Sequence, residues 1–262
     1  MKNINLYGNV VRDLIFNACD IAQNHSNTAG HFSERLGGIV NILRGIRAQS
    51  NIQVNVFSSF SSGVEDELKD FQNVRIVYNN SPTAVASVLE SENSKTSVVF
   101  WGKQIIPFKP MVGWNHISYL DRIDNIDECL KLKEINSADL CLGKYTRQQK
   151  NRLFNILRHI NYLIISDHEL SGLTRGKLEP LIGLVKKGVV VHSKKGCVFA
   201  DKNHRYAFKT KRFLKNSKIV GAGDIFASVF ILSSLKKFDI VGILKKCNNN
   251  TPVLLKQINK YE

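Results

Sequence analysis

Short apolar runs alternate with longer segments of helical periodicity along most of the chain. The runs are rich in β-branched side chains and poor in charge, which is typical of strands buried on both faces of a parallel sheet. Helical candidates follow Gly38 and span about Arg147 to His159, each with apolar residues on one face. The runs interpreted as sheet strands are 4–8, 52–57, 96–101, 117–120, 140–142, 162–165 and 189–191.

This alternation predicts an α/β fold with a doubly wound, mostly parallel central sheet and helices on both faces. After Gly188 the pattern changes, and we expect a hairpin from 189–191 and 197–200 with an extended piece near 206–209. Three helical segments then follow, at 224–235, about 240–247 and about 252–260. No linker or internal repeat is evident, so residues 1–262 are expected to form a single domain.

Composition narrows the class of protein. A chain of 262 residues with 43% hydrophobic content can bury one sizeable core. No apolar run is long enough to span a bilayer, and the N-terminus lacks the apolar centre of a secretory signal. The five cysteines are scattered without a C-x-x-C pair, which disfavours a disulfide framework or a zinc site. A cytoplasmic protein is therefore expected.

The formal net charge of +15 admits two interpretations. Basic residues crowd the segment 194–218, where Asp201 is the only acid, and nucleic-acid binding is one explanation. A solvated lysine-rich surface is the other, and we favour it because no nucleic-acid-binding motif accompanies the charge. A positive electrostatic potential near a phosphate site would also attract a negatively charged nucleotide.

The most informative segment is Gly221-Ala222-Gly223-Asp224, which leads directly into an apolar helix. Residues with little or no side chain let the backbone turn tightly and approach a ligand. The first N–H groups of a helix lack intrahelical partners and, with the dipole, favour an anion. A carboxylate beside an anion site suits phosphoryl transfer to a hydroxyl, since it can take the acceptor's proton. The alternative is that Asp224 is only a helix N-cap.

This segment resembles the G-A-G-D-x-F signature of the ribokinase-like (PfkB) carbohydrate kinases. Residues 221–224 and Phe226 match, while Val229 stands where the family usually has a further glycine. The resemblance implies that Asp224 is the catalytic base and that Gly221, Ala222 and Gly223 form the anion hole. It also implies a ribokinase-like fold with ATP and Mg²⁺ as cofactors.

The N-terminal part extends the resemblance. The family usually opens an acceptor-contacting helix with Gly-Gly-x-x-Asn, and Gly37, Gly38 and Asn41 fit that pattern. It also places a substrate-binding aspartate soon after the first strand, where this chain has Asp13. An aspartate and an asparagine can both accept hydrogen bonds from vicinal hydroxyls. Taken singly, Asp13 could be a solvated turn residue and the two glycines a simple helix entry.

The middle of the chain matches the family less closely. Glu169 corresponds to the acid that is associated with magnesium and phosphate positioning through water, but Ser166 replaces the family's asparagine. The family's Thr-x-Gly-x-x-Gly stretch beside the nucleotide retains only Gly196, and Ser193 and Lys194 are the candidates for phosphate contacts. The family's D-x-N-x-R-like strand is not recognisable near 140–147, which leaves the acceptor's identity open.

Relatives cover the acceptor with a β lid that shields the transfer from water. The segments 14–35 and 58–82 are short for a full lid, so a reduced lid of two to four short strands is expected within them. A partner chain could complete a thin lid, and a homodimer is therefore one expected assembly.

Three functions follow from these observations. The favoured one is an ATP-dependent phosphotransferase acting on a hydroxyl of a sugar or sugar-like polyol. A nucleoside kinase of the same fold is the second, because Asp13 and Asn41 do not distinguish two acceptors that both bear vicinal hydroxyls. The third is a degenerate, non-catalytic relative that binds a nucleotide, a sugar or nucleic acid. The departures at 166, 193 and 229 motivate it, whereas retention of the complete 221–224 segment argues against it.

Overall fold

The computed structural model describes residues 3–18, 29–90, 95–210 and 221–258. Its strands are β1 (Ile4–Tyr7), β2 (Val10–Ala18), β3 (Ala29–Gly38), β4 (Val54–Phe60), β5 (Val74–Asn80), β6 (Ala84–Glu90), β7 (Lys95–Phe100), β8 (Trp114–Ile117), β9 (Ile135–Asp139), β10 (Ile160–Ser166), β11 (Gly188–Ser193), β12 (Gly196–Ala200) and β13 (Arg205–Lys209).

Helices connect and cover these strands. They are α1 (Ile39–Arg47), α2 (Val64–Lys69), α3 (Arg147–Leu157), α4 (Asp167–Thr174), α5 (Glu179–Ile182), α6 (Ala222–Leu235) and α7 (Ile240–Ile258). Two 3₁₀ helices lie at Leu120–Arg122 and Ile126–Lys131. In the described part of the chain, no helix combines the length and the apolarity needed to cross a membrane.

Nine strands form the main sheet in the order β13-β12-β11-β10-β9-β8-β1-β4-β5. The strands from β11 to β5 are parallel, and the hairpin strands β12 and β13 are antiparallel. The α/β fold with a mostly parallel central sheet, predicted from the alternation of elements, is confirmed. Because parallel strands end at one edge of a sheet, the loops after β1, β8, β9, β10 and β11 meet there.

Two hydrophobic cores cover the two faces of the main sheet. One contains α1, α6 and α7, and the other contains α3, α4 and α5. Successive residues of a strand point to opposite faces, so Ile164 joins the first core while Leu163 and Ile165 join the second. This double burial is why the parallel strands are continuously apolar and could be found from the sequence.

A second sheet, here called the small sheet, has the order β3-β2-β6-β7. Strands β2 and β3 run through the described parts of the expected lid segment 14–35, of which residues 19–28 lie outside the described chain. The expectation of lid elements within 58–82 is wrong, since the end of β4, helix α2 and β5 lie there and pack into the main sheet and its first core. The remaining strands of the small sheet are β6 and β7 instead.

The assignment of 96–101 to the main sheet is also wrong, because β7 is the edge strand of the small sheet. Of its described side chains only Val99 packs on the apolar cluster of the small sheet, while Val98 and Phe100 are 78% and 68% exposed. An apolar run predicts a strand but carries no information about which sheet it joins, since pairing is decided by distant segments. The exposed apolar residues made this edge strand resemble a buried one.

Strands β8 and β9 begin before the apolar runs 117–120 and 140–142. The residues of these strands that precede the runs include buried polar side chains, so an apolar pattern does not mark them. The Asn5 amide group donates to Asn115 (2.8 Å), and Asn55 donates to Asn5 (2.7 Å), so the three amides form a ladder across β4, β1 and β8. Asn115 donates in turn to the Glu134 carbonyl (2.8 Å). Buried amides are tolerated because each finds partners. Residues 118–120 and 140–142 therefore follow these strands, at the edge where the parallel strands end.

The C-terminal helices predicted at 240–247 and 252–260 are one helix, α7, with Pro252 inside it. Residues 259 and 260 lie outside the described chain. Proline usually ends a helix because it lacks an N–H and crowds the preceding turn. Here Leu244 on one side of the proline and Leu254 on the other are both buried in the first core, and this packing carries the helix through.

Candidate active site

Helix α6 begins at a tight turn that places Asp224 in its first helical turn. Gly221 has a φ of 84°, in the left-handed region that favours glycine, and it is the N-cap residue of the helix. Asp224 is therefore not the N-cap, contrary to the simple capping interpretation. Its side chain is only 6% exposed, yet it ends in a carboxylate that receives donors from other elements.

Asn41 on α1 holds the Asp224 carboxylate. Its Nδ2 donates to Oδ2 of Asp224 at 3.0 Å, and its Oδ1 accepts from Arg44 at 3.1 Å. Arg44 also donates to the Leu36 carbonyl, so the orientation of the asparagine is determined on both sides. A Cβ at Gly221 would lie 2.8 Å from Nδ2 of Asn41. The glycine of the turn is thus needed for this contact as well as for its backbone conformation.

Helices α1 and α6 approach closely, which makes the contact between Asn41 and Asp224 short. At Gly45 on α1 a Cβ would overlap with the Ser228 side chain on α6. Ser228 is fully buried and donates to the Ile225 carbonyl within its own helix (2.7 Å), so it carries no unpaired polar group into this interface. The absence of a side chain at residue 45 therefore brings two distant parts of the chain together.

Asp13 lies on β2, opposite Arg35 of β3, and is 6% exposed. A Cβ at Gly37 would overlap with the Asp13 carboxylate, so the first glycine makes room for that side chain. Gly38 has a φ of 62° and caps α1, and a Cβ there would overlap with the Asn9 carbonyl. The two glycines therefore have different physical roles, one toward the candidate acceptor-binding aspartate and one toward the helix entry.

Tyr119 belongs to this cluster, although the sequence does not reveal it. It has a left-handed φ of 54°, uncommon for a residue with a bulky side chain, and its hydroxyl donates to Oδ2 of Asp224 at 3.5 Å. Its ring meets Trp101 edge-on, with 5.9 Å between the ring centres. In the sequence Tyr119 sits in an apolar run and looks like an ordinary strand residue; only its backbone angle marks it.

The environment keeps the Tyr119 hydroxyl protonated. Burial first, and then the negative charge of Asp224, raise the pKa of Tyr119 well above its usual value, and Asp139 and Asp13 contribute in the same direction. The phenol is therefore a hydrogen-bond donor at neutral pH. Asp13 lies near the same ring, because a Cβ at Gly37 would meet its carboxylate and a Cβ at Gly38 would lie 3.4 Å from Cε2 of Tyr119.

Asp139, at the end of β9, supports the loop that carries Tyr119. One carboxylate oxygen accepts from the Tyr119 N–H at 2.6 Å, and the other lies 3.2 Å from Nε2 of His116. His116 is fully buried, and its Nδ1 lies 2.9 Å from the Ser137 hydroxyl. This network connects β8 and β9 beneath the candidate site and fixes where the loop leaves the sheet.

Glu169 and Ser166 form a capping box at the start of α4. The Ser166 N–H donates to Oε2 of Glu169 at 2.7 Å, and the Glu169 N–H donates to the Ser166 hydroxyl at 3.2 Å. This pairing gives Ser166, which replaces the family's asparagine, a structural role. Burial raises the pKa of Glu169 to about 8, opposed by the Ser166 N–H and assisted by the charge of Asp139.

The raised pKa of Glu169 predicts a specific dependence of stability on pH. Between the ordinary value of 4.5 and about 8 the folded protein holds a proton that the unfolded chain has lost, so this group's contribution to stability falls as pH rises. Its slope reaches at most about 1.4 kcal/mol per pH unit. Glu169→Gln should flatten the decline while preserving the capping box, since glutamine serves equally at that position.

Urea unfolding at several pH values between 5 and 8 measures this effect. Glu179→Gln removes a carboxylate from an exposed position and is the matched control. Asp121, whose pKa burial also raises, keeps its own share of the slope in both variants. Equal slopes for wild type, Glu169→Gln and Glu179→Gln would contradict the protonated state of Glu169.

The candidate nucleotide residues occupy the turn between β11 and β12. The Ser193 hydroxyl accepts from the Lys195 N–H at 3.1 Å and donates to the Gly196 carbonyl at 3.4 Å, so it stabilises the hairpin. A Cβ at Gly196 would overlap with the Phe208 carbonyl of β13. Lys194 is exposed. These contacts are sufficient to account for the conformation of the turn without a ligand. The assignment of Ser193, Lys194 and Gly196 to nucleotide binding therefore stays a prediction.

His192, next to this turn, reaches the glycine turn of α6. Its ring stacks on Phe226 with 5.0 Å between centres, and a Cβ at Gly223 would lie 3.2 Å from its Cε1. Burial lowers the pKa of His192 to about 4, so the imidazole is neutral at physiological pH. The structure thus brings Asp13, Asn41, Tyr119 and the 221–224 turn into one cluster, with the β11 loop beside it.

Comparison with known proteins supports one family. The family model described as pfkB family carbohydrate kinase matches residues 1–249. No curated protein sequence matches the chain significantly. Among solved structures, a nucleoside kinase of Methanocaldococcus jannaschii, described as an archaeal member of the ribokinase family, has a TM-score of 0.72 at 20% identity, over 96% of this chain and 90% of that one.

Two further structures show the same fold at low identity. The ribokinase of Cryptococcus neoformans var. grubii serotype A, solved with ADP, has a TM-score of 0.74 at 15% identity, covering 95% of this chain and 92% of that one. The adenosine kinase of Sinorhizobium meliloti has a TM-score of 0.74 at 14% identity, covering 98% and 94%. With its family model matched over residues 1–249, its ribokinase fold and the 221–224 turn in place, the chain belongs to the pfkB family of carbohydrate kinases.

Proposed function

We propose that the protein is an ATP-dependent kinase that transfers the γ-phosphoryl group to a hydroxyl of a sugar or sugar-like polyol. The observation that carries this proposal is the Asp224 carboxylate, which Asn41 holds at 3.0 Å directly after the glycine turn that opens α6. In the reaction the acceptor oxygen bonds to the γ-phosphorus, the acceptor proton passes to Asp224, and ADP leaves with the electrons of the broken P–O bond.

The donors around Asp224 suit a general base. Hydrogen bonds from Asn41 and Tyr119 favour the ionised form of the carboxylate, which is the form that accepts a proton. They also hold its orientation, because Asn41 is itself fixed by Arg44. A base that is already ionised and oriented loses little freedom when the acceptor arrives.

The start of α6 supplies donors for the transferred group. The N–H groups at the first positions of a helix have no intrahelical acceptor, and those of Ala222, Gly223 and Asp224 stand at this end of α6. With the helix dipole they stabilise negative charge that develops on the γ-phosphoryl oxygens. Asp13 and Asn41 would bind the acceptor hydroxyls.

The residues present fit a magnesium ion that is carried mainly by the nucleotide. Among the described residues no group of three or more side chains has the arrangement of a protein metal site. Mg²⁺ commonly uses one or two carboxylates, with phosphates and water as its other ligands. Glu169 would act on such an ion through water, in the ionised form that a nearby cation favours, and the ion would neutralise phosphate charge during transfer. Ser193 and Lys194 would lie beside the nucleotide.

A nucleoside acceptor is the second candidate, and one observation favours it. Tyr119 contacts the proposed base, the Trp101 ring meets the Tyr119 ring, and this aromatic pair offers apolar surface to a flat nucleobase. Incubating the protein with ATP and Mg²⁺ and a panel of sugars, polyols and nucleosides, with ADP release as readout, separates the hypotheses. Release with nucleosides only supports the second candidate, and ADP or ATP binding without any release supports a degenerate relative.

Tyr119→Phe tests the contribution of the phenol to the base. The variant keeps the ring but removes a donor to Asp224, so kcat should fall about two- to tenfold, the effect of one modest hydrogen bond. The acidic limb of the pH–rate profile should move to higher pH, because the carboxylate loses a contact that favours its charge. Tyr206→Phe, on β13, is the control. An unshifted pH profile would remove Tyr119 from the proposed mechanism.

The cytoplasmic location and the homodimer stay predictions. So does the interpretation that the positive charge does not serve nucleic-acid binding. Part of the basic segment, residues 211–218, lies outside the described chain.

A further inference from the structure

A cavity lies beside helix α3, and Asp13, Asn41 and Asp224 are not among its lining residues. It has a volume of about 230 Å³ and is bounded by the start of the loop after β7, the 3₁₀ segment after β8 and one face of α3. Buried apolar residues line part of it, and charged or polar side chains line the rest. The lining residues used below are Trp101, Asp121, Arg122, Asp124, Leu153 and Ile156.

Arg122 is the charged group of this cavity that lacks a counter-ion. Its guanidinium carbon lies 4.8 Å from the centre of the Trp101 ring, so one face of the group is stacked. Its Nε is buried and without a hydrogen-bond partner, and within the described residues its guanidinium forms no hydrogen bond or ion pair. Arg122 as a whole is partly exposed, but a buried N–H without an acceptor is costly. The missing partner is therefore expected from a ligand.

The nearest carboxylate is engaged elsewhere. Asp121 accepts from the backbone N–H groups of Cys141 (3.0 Å) and Leu142 (2.8 Å) and from the Tyr145 hydroxyl (2.9 Å). The positive charge of Arg122 opposes the rise that burial causes in the pKa of Asp121, but the two side chains make no ion pair. Three donors hold the carboxylate toward the β9 loop, which leaves the fork of Arg122 free toward the cavity.

The other charged residues of the cavity are also paired. Arg152 donates to the Asp124 carbonyl (2.7 Å) and to Asp127 (3.1 Å), while the Asp124 side chain accepts from the Gln104 N–H (2.6 Å). Arg152 therefore brings its own acceptors, in contrast to Arg122. The cavity thus offers one guanidinium with no ion pair to a described residue, together with two carboxylates that would repel a second negative charge.

We propose that this cavity binds a small organic monocarboxylate. The carboxylate would pair with the guanidinium of Arg122, which matches it as a two-pronged donor, and an apolar body would pack on Leu153 and Ile156. The volume is below the roughly 300–1,000 Å³ of sites for drug-sized ligands, so the occupant is a small metabolite. A phosphate monoester fits less well, because Asp121 and Asp124 line the same space.

The site adjoins the candidate active site through one aromatic pair. Trp101 carries Arg122 on its face and meets Tyr119 at its edge, and the Tyr119 hydroxyl contacts Asp224. A ligand that rearranges Arg122 and Trp101 would therefore change the acceptor KM. This consequence rests on the proposed kinase function, whereas ligand binding itself does not.

Calorimetric titration of the full chain with 3-phenylpropionate, without nucleotide or acceptor, tests the binding site directly. Saturable binding is expected, with an affinity at least about tenfold weaker for Arg122→Gln, the loss of one charge-assisted contact. The neutral 3-phenylpropanol and the dianionic phenyl phosphate should also bind at least about tenfold more weakly. Arg75→Gln, an exposed arginine on the distant strand β5, is the matched control and should bind like wild type.

Two further measurements keep the outcome decisive. Arg122→Lys, which retains the charge, covers the case in which Arg122→Gln does not fold, and it should bind at an intermediate level. The chain has two tryptophans, so Trp114→Phe makes Trp101 fluorescence a local reporter that the carboxylate should change. Equal affinity of wild type and the Arg122 variants overturns the proposal. So does a failure of 3-phenylpropionate, isovalerate and benzoate to bind saturably up to millimolar concentrations, whatever the kinase assay shows.

Discussion

The Asp224→Asn protein is expected to transfer phosphate about 10²–10⁴ times more slowly than wild type while its thermal stability changes little. The amide has nearly the same size and still accepts the hydrogen bond from Asn41, but it does not take a proton from the acceptor. The measured quantity is kcat from ADP release with the acceptor that the panel identifies. KM for ATP should change much less than kcat, because this residue is proposed to act on the acceptor's proton.

Asp70→Asn is the matched control for this experiment. Asp70 follows α2 at an exposed position, so its replacement removes one carboxylate without touching the candidate site. Unchanged kcat in Asp224→Asn would exclude Asp224 as the base. A fall in kcat that is matched by an equal loss of folded protein would instead assign the residue to the core.

Gly221→Ala is expected to lower kcat about 10- to 100-fold, because a small displacement of reacting groups has effects of this size. The new Cβ would lie 2.8 Å from Nδ2 of Asn41, which Arg44 prevents from simply moving aside. The contact between Asn41 and Asp224 should therefore lengthen or break. The left-handed backbone at this residue adds a stability cost of about 1–2 kcal/mol.

Gly176→Ala separates these two effects. Gly176 has a φ of 81°, close to the 84° of Gly221, but a Cβ there would meet nothing within 4 Å. The Gly176→Ala protein should lose about as much free energy of unfolding in urea as Gly221→Ala does, and its kcat should stay that of wild type. If both glycine variants lose activity alike, backbone strain rather than the contact with Asn41 is responsible. If neither loses activity, the turn is not part of the transfer site.

Asn41 has a broader role than the family resemblance implies. The resemblance predicts an acceptor-binding residue at the start of α1. The structure adds a hydrogen bond to the proposed base and one from Arg44, so the same side chain connects the N-terminal helix to the C-terminal one. A substitution at Asn41 should consequently change both kcat and the acceptor KM, whereas Asp13→Ala should raise mainly the acceptor KM.

The fold class and the glycine turn before α6 could both be predicted from the sequence, because both depend on local patterns. Strands buried on two faces are continuously apolar, and helices show one apolar face, so the alternation of strands and helices could be predicted. The 221–224 segment is contiguous, and its small residues before an apolar helix predict an anion site without knowledge of any partner. The capping of α4 by Ser166 and Glu169 also has a local sequence pattern, a serine followed three residues later by a glutamate.

Contacts between segments that are distant in the sequence are seen only in the tertiary structure. Asn41 and Asp224 are separated by 183 positions, and their contact exists because Gly45 lets two helices pack closely. The assignment of β7 to the small sheet and the place of Tyr119 beside Asp224 likewise depend on long-range pairing, which leaves no periodic signal in either segment. Arg122 is a further example. Its charge is evident from the sequence, but the absence of an ion pair with Asp121 is not, because it depends on the hydrogen bonds that Asp121 accepts from the N–H groups of Cys141 and Leu142.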